Sequence, residues 1–211
     1  VKDMSLLKQS TLYVNLEPCS HFGKTPPCAS LIIEKQIPRV VIGNVDPYPK
    51  VSGRGIQMLR EAGVEVVINV LEEECRALNK RFFTLYEKKR PYIFLKWAQS
   101  ADGFMDALRE GNDTPPVQFS NALTAALVHK QRAEEAGILI GTDTAVKDNP
   151  RLTNRLWAGK SPLRMAVDRQ GRIPAHYHLF DGSVPTVIFT EQPKNNLPNV
   201  SFVRIDFSSD L

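Results

Sequence analysis

Apolar and polar positions along residues 1–90 fall into blocks that switch between a period of two and a helical period. Thr11 to Leu16 (T-L-Y-V-N-L) is rich in β-branched and aromatic residues and predicts a buried strand. Ala29 to Gln36 carries apolar residues at helical spacing, and Arg39 to Gly43 predicts a second strand closed by the turn-forming D-P-Y-P. Gly55 to Ala62 predicts a helix ended by Gly63, a residue suited to a left-handed cap. Val64 to Asn69 predicts a third strand, and Glu72 to Lys88 one amphipathic helix with acidic residues in its first turn. Cys75 is expected as a buried thiol on that helix, beside Leu71, Leu78 and Phe82. The β-α-β-α-β order implies parallel strands joined by helical crossovers.

After Lys88-Lys89-Arg90-Pro91 the pattern restarts, which sets a domain boundary near residue 90. Tyr92 to Ala98 predicts a strand, Asn121 to Glu134 a helix, and Gly137 to Gly141 a short buried strand followed by a polar loop, T-D-T-A-V-K-D-N-P-R-L-T. Leu163 to Val167, Val184 to Thr190 and Ser201 to Ile205 predict three more strands. The chain begins at Val1 and stops in mid-pattern at Leu211, so both ends read as cuts.

Composition narrows the class. Hydrophobic residues at 42% and charged residues at 24% are those of an ordinary globular protein. No apolar run approaches the roughly 18 residues of a membrane span. Three cysteines are too few for a disulfide framework and imply a reducing, cytoplasmic setting. A net charge of +4 is that of a scattered, solvated surface, and it also suits anionic ligands.

Cys19 and Cys28 are the candidate metal ligands. Cys19 follows a strand end and Glu17-Pro18, and Cys28 opens a helix after Pro26-Pro27, so two sulfurs are aimed at one point. A helix N-terminus is expected to lower the pKa of Cys28 toward the thiolate that binds metal. Three readings stay open: two packing thiols, a structural site completed by His21, or half of a catalytic zinc site. Zinc deaminases pair a Pro-Cys…Cys element with a His-x-Glu on an earlier helix, whose Glu moves protons. No His-x-Glu exists in this chain, so the third ligand and the general acid/base are expected upstream of Val1.

The run E-P-C-S-H-F-G-K-T-P-P-C, with D-P-Y-P-K-V-S-G-R-G after it, resembles the bifunctional deaminase–reductases of riboflavin biosynthesis, the RibD family. R-P-Y-I-F-L-K-W-A-Q-S-A-D-G and G-I-L-I-G-T-D-T-A-V-K-D-N-P-R-L-T-N-R are similar to the reductase half of that family. The resemblance covers essentially the whole chain. It implies a cytidine-deaminase-like α/β domain over 1–89 and a dihydrofolate-reductase-like α/β domain over 90–211. It further implies zinc-dependent deamination of a diamino-ribosylaminopyrimidinone 5-phosphate, then NADPH-dependent reduction of the ribosyl side chain to ribityl.

The family pattern puts Ala98, Thr144 and Asp148 at cofactor positions, and Arg132, Leu152 and Arg155 at substrate positions. His21 and Lys24 lie in the metal loop as further substrate contacts; the alternatives are a loop-organising hydrogen bond and a solvated charge. Val117-Gln118-Phe119-Ser120 departs from the family stretch at that place, and the loop before it is longer, so no contact is carried over there. The family's glycine-rich cofactor loop and an acidic substrate residue are expected beyond Leu211. The implied partner is a small phosphorylated pyrimidine, with no nucleic acid or membrane, in a homo-oligomer. The chain by itself is expected to lack deaminase activity and to bind zinc weakly. Competing readings are a zinc-stabilised nucleic-acid-binding module and a family member whose reductase half is inactive.

Overall fold

The computed structural model describes residues 3–109, 114–192 and 194–209. It divides into two compact units, Val1–Leu95 and Lys96–Leu211.

In the first unit β1 (Thr11–Leu16), β2 (Arg39–Asn44) and β3 (Glu65–Val67) form a parallel sheet in the order β1-β2-β3. Tyr13 pairs with Val41, and Val41 with Val67. The central strand is buried from Val40 to Asn44. Helices α1 (Cys28–Glu34) and α2 (Arg54–Glu61) press Ala29, Ile32, Ile56 and Leu59 onto Val40 and Ile42. Gly63, at φ +81°, supplies the left-handed turn that ends α2. Thr11 to Leu16 is not buried throughout: β1 lies at the edge of the three-stranded sheet, and Tyr13 and Asn15 point to solvent.

The expected long helix is two, α3 (Glu72–Leu78) and α4 (Lys80–Lys88), broken at Asn79. The Asn79 side-chain amide donates to the Cys75 carbonyl at 3.0 Å, a local bond that competes with the helix ladder. Cys75 is half-buried, with Leu71 and Leu78 exposed instead of packed around it. Its thiol lies against Gly43, where a Cβ would overlap the sulfur.

One carboxylate ties this unit together. Glu17 is 4% exposed and follows β1 directly. Its Oε2 accepts from the amides of Asp46 (3.1 Å) and Gly53 (2.9 Å), and Oε1 from those of Gly55 (2.9 Å) and Ile56 (3.2 Å). The charge thus sits at the N-terminus of α2, where free amides and the helix dipole favour an anion. Gly53 adopts φ +82°, and a Cβ on Gly55 would strike the Pro18 carbonyl, so both glycines of the D-P-Y-P-K-V-S-G-R-G run are sterically required.

The second unit contains α5 (Ala122–Glu134), β4 (Gly137–Ile140), α6 (Thr142–Asp148), β5 (Leu163–Val167), β6 (Thr186–Thr190) and β7 (Val200–Arg204). Asn121 caps α5, its side chain accepting from the Thr124 amide at 2.9 Å. The strands are parallel in the order β4-β5-β6-β7, with Ile140, Ala166, Ile188 and Phe202 in register. Ala145, Leu152, Ala166, Ile173, Leu179, Ile188 and Val200 build the core.

Two expectations fail here. The polar run from Thr142 folds as α6, because a helix of seven residues needs few inward positions: buried Ala145 and partly buried Val146 suffice. Thr142 Oγ1 anchors its start by donating to the Val167 carbonyl at 2.6 Å. Tyr92 to Ala98 forms no regular strand. Among the described residues it lacks the aligned backbone neighbour that a strand needs. Tyr92 and Phe94 lie under Lys80, and Phe94 also under Arg81, at 5.0–5.1 Å. Residues 110–113 of the long loop before Val117 lie outside the described residues.

Arg164 on β5 is fully buried and is satisfied by Thr186 Oγ1 (2.9 Å), the carbonyls of His178 (2.7 Å) and Val184 (2.9 Å), and Asp181 Oδ1 (3.0 Å). Burial opposes ionisation of Asp181, but hydrogen bonds from Ser183 and Arg164 outweigh it and hold the carboxyl at about 2.

Arg164→Ala should destabilise the second unit by about 3–5 kcal/mol in urea unfolding, since it strands a carboxylate and buried carbonyls. Because Asp181 is depressed below the unfolded value of roughly 3.9, its stabilisation is present above pH ~4 and should be lost as pH falls through about 2. Glu17→Gln should cost about 3 kcal/mol in the first unit, because an amide nitrogen then faces two N–H donors.

Candidate functional site

Pro18 and Cys19 follow Glu17 on the chain, so the amides that fix the carboxylate also fix where the first sulfur starts. The Cys28 amide donates to Cys19 Sγ at 3.3 Å, and the Ala29 amide to the Cys19 carbonyl at 3.1 Å. The two cysteines are therefore brought together at the start of α1. Cys19 is half-buried and Cys28 exposed.

The expected lowering of the Cys28 pKa is not found. Its thiol is pushed up, first by its hydrogen bond to Cys19, then by burial and by the charge of Cys19. The neighbouring sulfur and burial thus both favour the protonated thiol, and only a backbone hydrogen bond at Cys19 opposes them. A dication between them would reverse the balance, since it favours both charges. The cysteine pair fits such an ion as half of a donor set. Among the described residues no group of three His, Cys, Asp or Glu side chains is arranged to hold a metal.

His21 is exposed and lies edge-on to Tyr48 at 6.1 Å between ring centroids; Lys24 is exposed in the same loop. The residue that the sequence reading passed over is Asp46. It is buried, accepts from the Tyr48 amide at 2.7 Å, and feels the charges of Glu17 and His21. Burial chiefly raises its pKa, and the carboxyl lies close enough to the cysteine loop to feel the charge of His21. Its signal was the D-P of the D-P-Y-P-K-V-S-G-R-G run, which gave a turn and a family resemblance but no role for the carboxyl.

In the second unit, Arg132 near the end of α5 donates from Nη1 to the Thr153 carbonyl at 3.1 Å, and Arg155 from Nη1 to Thr153 Oγ1 at 2.9 Å. The structure thus gathers both predicted arginines around Thr153. Arg132 Nε is buried without a hydrogen-bond partner. Burial first, then the Arg155 charge, pushes the Arg132 guanidinium below its ordinary range. No carboxylate forms an ion pair with either arginine among the described residues. Arg132 is half-buried and Arg155 exposed, and the idle Nε leaves donor capacity of a kind that suits an anion.

Leu152 is 5% exposed and adopts φ +53°, a left-handed backbone unusual for a branched side chain. Its side chain packs in the core, so a ligand could meet only its backbone. Thr144 is exposed on α6. Asp148 ends that helix and pairs with Arg109, which also binds Asp106 at 2.7 Å and which the sequence reading did not single out. Ala98 is half-buried in the irregular segment.

Residues 91–210 match the RibD C-terminal domain family. The chain is 41% identical over 187 residues to riboflavin biosynthesis protein RibD of Aquifex aeolicus, covering 88% of this chain and 51% of that protein. To the RibD of Actinobacillus pleuropneumoniae it is 45% identical over 173 residues, covering 82% and 45%. It is also similar to the crystal structure of a diaminohydroxyphosphoribosylaminopyrimidine deaminase/5-amino-6-(5-phosphoribosylamino)uracil reductase from Thermotoga maritima, at 39% identity and a TM-score of 0.81. That similarity covers 94% of this chain and 56% of that one. The chain spans about half the length of the curated relatives it matches. No described helix is long and apolar enough to cross a membrane. With its reductase-type domain filling residues 91–210, the chain belongs to the RibD family.

Proposed function

We propose that this chain serves riboflavin biosynthesis, with residues of a zinc-dependent pyrimidine deaminase over 1–89 and an NADPH-dependent reductase over 90–211. The corresponding folds are cytidine-deaminase-like and dihydrofolate-reductase-like. The observation that carries the reading is the Arg132–Arg155 pair, held around Thr153 with a buried, unpartnered Nε. Such a pair suits the 5-phosphate of a ribosylamino-pyrimidine, because guanidinium forks match phosphate oxygens and no acid competes for them. Holding the phosphate fixes the far end of the sugar, so that its reducible carbon meets the cofactor in one orientation. Thr144 and Asp148 on α6 would contact NADPH, which supplies the hydride. Ala98 and the backbone of Leu152 would complete the cofactor and substrate contacts.

In the first unit Cys19 and Cys28 would provide two thiolates to zinc, with the third ligand and the proton-transferring Glu from outside this sequence. Zinc bound there supplies a water acidified toward a pKa of about 7. His21 and Lys24 in the cysteine loop, and Asp46 after β2, would orient the pyrimidine, with burial raising the Asp46 pKa above its ordinary value.

Titration of the full chain with ribose 5-phosphate should show binding that Arg132→Ala and Arg155→Ala each weaken by on the order of tenfold. Unchanged affinity in both variants would overturn the phosphate assignment. NADPH should quench the intrinsic fluorescence, with Asp148→Ala raising Kd by about tenfold. Zinc, measured against a competing chelator, should bind weakly and be lost in Cys19→Ser or Cys28→Ser. Stoichiometric tight zinc in either variant would remove these cysteines from the site.

A further inference from the structure

His129 lies on α5, one turn before Arg132, and is 5% exposed. The catalytic reading gives it no task, yet its ring is the centre of the arginine cluster. Nδ1 accepts from the backbone amide of Arg155 at 2.8 Å and from that of Leu156 at 3.4 Å. With Nδ1 accepting, the neutral ring carries its proton on Nε2. The segment that presents Arg155 has no helix or strand of its own to hold it. Its two successive amides are fixed from α5, the helix that also carries Arg132.

We propose that His129 is a positioning residue for the anion site: as a neutral acceptor it locks the backbone of Arg155 to α5 and so sets the spacing of the two guanidinium groups. This rests on the reading of Arg132 and Arg155 as phosphate ligands. The charged groups acting on the ring are Arg132 on its own helix and Arg155 on the facing loop, with Asn154 as a polar neighbour. Burial first, then the Arg132 charge and, more weakly, that of Arg155 lower the imidazole pKa against a hydrogen bond to Asn154 that raises it, and the balance favours the neutral form that accepts. A protonated ring would aim an N–H at two amides and add a third positive charge. The phosphate thus meets a pair of arginines whose separation is set before it arrives.

The test contrasts two replacements at position 129 in the full chain, read by ribose 5-phosphate titration at pH 7.5. His129→Asn places an amide oxygen where Nδ1 was, while His129→Leu fills the volume without an acceptor. The Asn variant should bind within about threefold of the parent and the Leu variant about tenfold more weakly. Faster hydrogen exchange at the Arg155 amide should accompany the loss. Equal affinities in both variants, or a loss in Asn that Leu escapes, would mean that the ring only packs, and would overturn the proposal. Should His129→Leu fail to fold, His129→Ala gives the same contrast with Asn. Arg132→Ala and Arg155→Ala serve as controls. If they bind as the parent does, the phosphate reading itself falls; if they lose binding while His129→Leu keeps it, only the positioning role does.

Discussion

The carboxylate of Glu17 is the constraint on which the first unit depends. It collects four backbone amides from the β2–α2 connection and the start of α2, all onto the residue that follows β1. A buried anion is tolerable because each oxygen is served by two N–H donors. The arrangement fixes the exit of β1, and with it Pro18 and Cys19, against the helix beside it. The steric demand at Gly55 and the left-handed turn at Gly53 are consequences of bringing that backbone so close. Specific placement of a sulfur therefore begins two residues upstream, in a group that binds no ligand itself.

The second unit solves a different electrostatic problem. Arg164 is fully buried and Arg132 half-buried, and their surroundings diverge. Arg164 is saturated by carbonyls, a hydroxyl and Asp181, so its charge is spent within the fold. Arg132 has one carbonyl, another arginine beside it and an idle Nε. The first is architecture. The second leaves donor capacity open, and the His129 ring borders it through the backbone of Arg155.

Much of this was legible in residue order. Seven of the expected strands appear within a residue or two of their predicted places or as shorter forms, because β-branched runs between turn residues leave little choice. The eighth, Tyr92 to Ala98, has the right residues but no aligned neighbour among the described residues, and pairing is a tertiary property that composition does not encode. Helix α6 was hidden because a short helix on a core needs only Ala145 and Val146 inward, too few to set a period. Asn79 broke a helix through a side-chain bond that pattern alone does not weigh. The cysteine pair and both arginines were readable from motifs. Glu17, Asp46 and His129 were not, since each acts through backbone amides or burial supplied by distant segments.

The all-parallel character of both sheets has a kinetic side. Neither sheet contains a hairpin between its strands, so no two strands can pair until the chain between them has been closed into a loop. The shortest such closure is between β6 and β7, across positions 191–199, where the Asn196 side chain accepts from the Phe202 amide at 2.8 Å. Loop entropy favours that pair as the earliest in the second unit, with β5 and then β4 added outward from it. The arginine cluster, which joins α5 to the segment after α6, would then be among the last features to form. Its arginines would stay solvated until most of the native surface is already buried.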